Sequence, residues 1–323
     1  MMKMAIIGAG GIAQKMADTI NGLEEVEAYA IAARDYDRAV AFAKQYGFTK
    51  AYGSYEEMVC DVNVDLVYIA TPHSHHYQHA KLCLEHNKHV ICEKPFMVNA
   101  KQAEELIKIA EAKGLLITEA IWTRYMPSRK MIDDVITSGV IGTPTSLTAN
   151  LGYPLAHVGR MLTPELAGGA LLDLGVYLLH FAGMAFGQEV DRIISAATMT
   201  EEGVDARESI TLIYKDGKTA VMHSSMLAVL DRRAVIFGTK GYLEIQNLNN
   251  PEKLTVYNSS YEEVSVAYPP KQITGFEYQV LACKEAIENK KTECEAIPHA
   301  EILRIMKMMD EIRAQWEYEI PTI

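Results

Sequence analysis

Short apolar runs that break into glycine or polar residues alternate with segments of helical period over the first 120 positions. MAIIG (4–8), VEAYAIAAR (26–34), VDLVYIA (64–70), KHVIC (88–92) and LLITE (115–119) have the length and β-branched content of buried strands. NAKQAEELIKIAEAKG lies between two of them. Its Ala103, Leu106, Ile107 and Ala110 fall at i, i+3, i+4 and i+7, with Asn99 as N-cap and Gly114 as stop. SYEE (54–57) is a capping box before another helix. Strand and helix in alternation predict parallel strands joined by right-handed crossovers, a doubly wound α/β sheet.

From about residue 145 the pattern changes. ESITLIY and TAVMHSSM flank KDGK, a hairpin signal, and RAVIFG–TKG–YLEIQ repeats it. LTVYNSSYEEVSVAY predicts a further pair of strands. Helices are expected near 127–138, 170–186, 274–289 and 299–315. The fold class is therefore an α/β doubly wound sheet followed by an α+β domain with a mostly antiparallel open sheet. The domains are expected at 1–122 and 123–323, with a soft boundary between 120 and 145. Such an open sheet needs a cover, and a second copy of the chain supplies one, so a homodimer through this sheet is expected.

Composition narrows the function. The 31 basic and 42 acidic residues among 323 leave a net charge of −11, which argues against nucleic acid or an anionic membrane as the main partner. A small molecule is the expected partner instead. The five cysteines are odd in number and never spaced C-x-x-C, as in a cytoplasmic protein with reduced thiols. No run approaches the ~20 apolar residues of a membrane span, and the N-terminus lacks a secretory pattern.

The first strand runs into GAGGIA, with Gly8, Gly10 and Ala13 as G-x-G-x-x-A and Gly11 and Ile12 between. At the start of a βαβ series this is a dinucleotide fingerprint. Gly8 makes the turn, Gly10 admits a pyrophosphate, and Ala13 lets helix and strand pack closely. The second strand ends Ala32-Ala33-Arg34-Asp35. Alanine stands where an NAD-type acid would sit, and Arg34, helped by Arg38, suits a 2′-phosphate. NADP(H) is therefore expected ahead of NAD(H), with Asp35 in the NAD role as the alternative.

ATPHSHHYQHA (70–80) holds four histidines at helical spacings, which raises a metal site, but no carboxylate ligand stands at helical spacing within it. No metal is expected. Ala70, Thr71 and Pro72 close a strand at the carboxyl edge of the sheet, where ligands bind.

With ICEKPF (91–96) the chain resembles the Gfo/Idh/MocA oxidoreductase family. GAGGIA, ATPHSHH, EKPF, EAIWTRYMP and GGALLDLGVYLLH stand in the family's order, in forms nearest its dihydrodiol and xylose dehydrogenase branch. The resemblance implies hydride transfer between a nicotinamide and a carbon bearing a hydroxyl on a sugar, cyclic polyol or dihydrodiol. It places Lys94 at the catalytic lysine position beside Glu93, Tyr177 at the proton-transferring position and Asp173 as orienting group. It also puts Trp122 and Arg124 along the nicotinamide and phosphate side. His73 stands where an asparagine is usual, and His76 keeps the family's histidine; both are implied cofactor neighbours, while His75 and His79 are expected to be exposed bystanders. Asp173, Tyr177 and His180 approach one helix face by their spacing, and His180 and Arg160 are weaker candidates for substrate contact. A dinucleotide-binding regulator of the same fold is the alternative function, although it has no need of Lys94, Asp173 and Tyr177.

Overall fold

The computed structural model describes residues 1–321 and divides into two compact units. The first takes Met1–Tyr125 and Gln272–Met306, the second Met126–Lys271 and the segment from Lys307 onward. Gln272–Met306 thus belongs with the N-terminal sheet although it follows the second sheet in sequence.

In the first unit the elements run β1 (Met2–Ile7), α1 (Gly11–Asn21), β2 (Val26–Ala32), α2 (Tyr36–Tyr46), β3 (Lys50–Tyr52), α3 (Tyr55–Val59) and β4 (Leu66–Ile69). They continue with α4 (His76–Glu85), β5 (His89–Glu93), α5 (Ala100–Lys113) and β6 (Ile117–Ala120). The six strands are parallel in the order β3-β2-β1-β4-β5-β6, the doubly wound arrangement whose chain reversal falls between β1 and β4. Met4 through Ile7, Leu66 through Ile69 and Val90 through Cys92 are all buried, as expected of strands covered on both faces. Helix boundaries follow local chemistry. Asn99 accepts from the Gln102 amide at 2.9 Å, Gly114 ends α5 in the left-handed region, and Ser54 caps α3 through Glu57 N. Strand β3, three residues long, carries no period-2 signal and was not expected; Asp61 anchors it, accepting from Lys50 and Tyr52, both at 2.7 Å, and from Tyr29.

The second unit contains α6 (Pro127–Ser138), β7 (Pro144–Gly152), a π-helical turn at Leu171–Gly175 that runs into α7 (Val176–Phe186), and β8 (Val190–Met199). Strands β9 (Asp205–Tyr214), β10 (Thr219–Ser225), β11 (Ala234–Gly238), β12 (Gly241–Gln246), β13 (Lys253–Asn258) and β14 (Glu263–Ala267) follow. The sheet order is β14-β13-β12-β11-β7-β10-β9-β8, antiparallel except where β7 and β10 pair in parallel. Helix α8 (Glu277–Glu288) lies in the first unit, and α9 (His299–Gln315) passes from the first to the second. One face of the sheet is core: Leu147, Ala149, Leu212, Met222, Ile236 and Leu243 are buried on it. Its other face shows Val221 about half exposed, with Thr148 and Ser209 also open to solvent.

Contrary to expectation, one apolar run does reach membrane-spanning length. Pro164–Phe186, 23 residues with mean hydropathy 1.5, passes on composition among the described residues, yet 83% of its most apolar window is buried within the protein. Its hydrophobicity is that of a core helix enclosed on all sides.

Candidate active site

The turn from β1 to α1 is shaped for close approach. Gly8 has φ +96°, and a Cβ there would lie 2.8 Å from the Ala70 carbonyl oxygen at the end of β4. Space above Gly10 and Gly11 is open, no side chain caps α1, and its first turn carries no acid. The helix therefore offers uncapped amides and the positive end of its dipole, which suits a pyrophosphate. Ala13 is fully buried against the sheet, with Ile12 beside it partly exposed. Arg38 donates to the Ala9 carbonyl at 2.6 Å and so braces the loop.

At the end of β2, Ala33 is buried and its amide bonds Tyr52 O, while Arg34 is exposed. Asp35 is committed to capping α2 through the Arg38 amide. Arg34 lines a cavity of about 730 Å³ together with Ser54, Tyr55, Thr71, His75 and His79. A guanidinium thus lines this cavity with no carboxylate from the end of β2, although Glu56 and Glu85 line it as well.

The four histidines divide differently from expectation. His76 is fully buried; its ring nitrogens face Pro95 O at 2.9 Å and Thr71 O at 3.0 Å. Burial and His73 hold its pKa down to about 3, so the ring is neutral and donates its single N–H to one of these two carbonyls. His73 is also buried, edge-on to His76. His79 is no exposed bystander: its Nδ1 meets Thr71 Oγ1 at 3.0 Å, Tyr55 packs edge-on at 4.7 Å, and burial lowers its pKa to about 4. His75 is half-buried, and burial followed by Arg34 lowers its pKa too. Helical spacing revealed neither outcome, because the partners come from β4 and β5 loops and from α3.

Lys94 leaves β5 at the carboxyl edge, through a cis bond to Pro95. Two buried acids hold its neighbours. Glu93 bonds Tyr68 Oη and accepts from the Lys94 amide at 3.2 Å, and Glu119 accepts from Phe96 N at 2.8 Å. The backbone around Lys94 is thereby anchored, and Lys94 itself is half-buried. Trp122 is edge-on to Phe276 at 4.9 Å, and the Lys15 ammonium lies 4.0 Å and 4.2 Å from their ring centres. Burial lowers the Lys15 pKa against the pull of Glu93 and Glu277. Lys15 carried no motif, and only the tertiary cage marks it. Arg124 differs from its expected phosphate role: its buried guanidinium pairs with Glu301 at 2.6 Å, an acid that also takes Arg304. It braces Trp122's turn onto α9.

In the second unit Asp173 sits inside the π-helical turn, and Arg160 Nη2 lies 3.1 Å from its Oδ1. The sequence placed these two separately; the structure joins them. Asp173 and Tyr177 are nearly buried, at 6% and 9% exposure, while His180 is at 0%. His180, the weaker candidate for substrate contact, is the most enclosed of the three. The α-helical spacing that grouped the three overlooked the π-turn, which adds a residue to the turn holding Asp173.

Two family models match, one for an oxidoreductase family with an NAD-binding Rossmann fold over residues 2–120 and one for its C-terminal domain over 130–244. The chain belongs to the Gfo/Idh/MocA oxidoreductase family. It is 34% identical to the trans-1,2-dihydrobenzene-1,2-diol dehydrogenase of Mus musculus, with 97% of this chain and 96% of that one covered. The Homo sapiens enzyme of the same name is 32% identical with the same coverage. Among solved structures, a 3-ketoreductase from Actinomadura kijaniata in complex with NADP shares the fold at TM-score 0.89, with 24% identity and 97% of each chain covered. An aldose-aldose oxidoreductase from Caulobacter crescentus does so at 0.88, with 20% identity, 100% of this chain and 99% of that one. This Gfo/Idh/MocA member is an oxidoreductase acting on CH–OH groups.

The Gly8 turn yields a direct expectation. Gly8→Ala forces a side chain into the Ala70 carbonyl at a φ that favours glycine, so dinucleotide affinity should fall by at least about tenfold. Isothermal titration with NADPH checks this; native affinity would show that the β1–α1 turn does not hold the cofactor.

Proposed function

We propose that the protein is an NADP(H)-preferring oxidoreductase. It transfers a hydride between the nicotinamide and a carbon bearing a hydroxyl on a sugar, cyclic polyol or trans-dihydrodiol. The observation that carries the cofactor preference is the end of β2, where Ala33 replaces an acid, Asp35 is engaged as a cap, and Arg34 lines the cavity. The substrate class is supported by the names of relatives at 30–34% identity, trans-1,2-dihydrobenzene-1,2-diol dehydrogenases.

When bound, the nicotinamide supplies the hydride chemistry. Removing a hydride from a carbinol carbon requires the hydroxyl proton to leave as the carbonyl forms. Tyr177 takes that proton in oxidation and returns it in reduction. Lys94 places a positive charge for the developing alkoxide, and Asp173, oriented by Arg160, directs the hydroxyl. Glu93 keeps the Lys94 backbone in place.

The uncovered face of the eight-stranded sheet is proposed to seat a second copy of the chain. Seven strand spacings of ~4.8 Å and strands of ~20 Å give roughly 700 Å² of face, near the ~800 Å² per partner of a standard interface.

Three measurements test these points. Arg34→Ala should weaken NADPH binding by about 10- to 100-fold, the worth of a charge-assisted pair, and leave NADH binding within about twofold; equal losses for both would remove the cofactor reading. Lys94→Ala and Tyr177→Phe should each lower kcat by about 10²- to 10⁴-fold in NADP⁺ reduction with trans-1,2-dihydrobenzene-1,2-diol and a panel of aldoses and polyols. Near-normal turnover in both would end the catalytic assignment. Sedimentation velocity should give twice the 35.9 kDa chain mass, falling to one chain mass in Val221→Lys; a wild-type monomer would refute the dimer.

A further inference from the structure

Helix Leu171–Phe186 begins without a capping side chain of its own, because Gly168, Gly169 and Ala170 precede it. The first amides of any helix lack intrahelical acceptors and must find them elsewhere. Here the acceptor comes from the sheet. Asp205, at the start of β9 and 1% exposed, accepts from Leu171 N at 2.5 Å. Burial raises its carboxyl to about 7, against the donated Leu171 amide and Arg313, which act to lower it.

The chain before the helix is fitted to this contact. A Cβ on Gly169 would collide with Asp205 Oδ1, at a φ of +106°. A Cβ on Gly168 would lie 2.5 Å and 2.6 Å from the carbonyl oxygens of Met161 and Arg160. The two glycines therefore let Asp205 close on the helix start from one side and the Arg160 segment from the other. At the far end of the π-turn, Glu208 takes the Ser224 hydroxyl, and its Oε1 stands where a Cβ on Gly175 would come within 2.6 Å. The turn held at both ends is the one that carries Asp173, and the segment packed on Gly168 supplies Arg160, the partner of Asp173.

We propose that Asp205 is a positioning residue for Asp173: by accepting the Leu171 amide it sets the first turn of the helix and so fixes where the Asp173 carboxylate stands. The catalytic half of this inference rests on the proposed role of Asp173. Misplacing a catalytic group by about 1 Å costs on the order of 10² in rate, so a backbone anchor four positions or fewer away can matter as much as a contact to substrate.

The test uses the full chain with Asp205→Ala, which removes both acceptor oxygens, and Asp205→Asn, which keeps one oxygen in the same volume. Turnover is followed with NADP⁺ and trans-1,2-dihydrobenzene-1,2-diol at a temperature where circular dichroism shows the variants folded. Asp205→Ala should lower kcat by about 10²-fold with NADPH affinity within twofold, and Asp205→Asn should recover at least tenfold of that loss. Hydrogen exchange in a peptide spanning 170–175 should quicken at least tenfold in Asp205→Ala, while peptides from β10 stay protected. If Asp205→Ala does not fold, Gly169→Ala, whose Cβ drives Asp205 off the Leu171 amide, should give the same paired loss. Unchanged exchange over 170–175, or unchanged kcat beside an Asp173→Asn variant that has lost activity, overturns the proposal. An active Asp173→Asn would instead remove the catalytic role of Asp173, and the exchange result then decides alone whether Asp205 sets the turn.

Discussion

The close packing of β1 against β4, with Gly8 turned against the carbonyl that ends β4, is the constraint on which the nucleotide unit depends. Parallel strands buried on both faces leave ligand chemistry only at their carboxyl ends, where the chain reverses between β1 and β4. Every candidate cofactor residue follows from that edge. The α1 amides, Arg34 after β2, Thr71 after β4, Lys94 after β5 and Trp122 after β6 are all loop positions of the same side of one sheet.

Loops at such an edge must be rigid if their side chains are to meet a cofactor reproducibly, and both units achieve this with buried carboxylates that accept backbone amides. Glu93 and Glu119 hold the chain around Lys94; Asp205 holds the turn that leads to Asp173. A buried acid is costly unless such donors surround it, so its presence marks a place where loop geometry matters. His76 is buried between the Thr71 and Pro95 carbonyls, its neutral ring donating its one N–H to one of them.

Local order was legible where it rests on short-range chemistry. The Asn99 cap, the Gly114 stop, the Ser54 capping box and the Asp216-Gly217 hairpin need only neighbouring residues, and each is found as expected. Strands β3, β7 and β8 escaped notice. β3 is too short for a period, while β7 and β8 mix apolar, small and polar residues on a sheet with one open face. Among the site residues, motif order singled out Gly8, Lys94, Asp173 and Tyr177 as candidates. It could not show that Arg124 turns to Glu301, that His180 is enclosed, or that His79 is buried beneath Tyr55.

The sequence by itself determined the doubly wound sheet, the glycine turn, the absence of an acid at Ala33 and the family, because these are written in period, adjacency and motif order. Tertiary structure alone decided which charged groups pair with one another. Arg160 finds Asp173 thirteen residues on, Arg124 finds Glu301 across 177 residues, and Asp205 caps a helix that starts 34 residues before it. A buried charge takes whatever complementary group the fold brings within ~3 Å, and that choice is made by packing between elements distant in sequence.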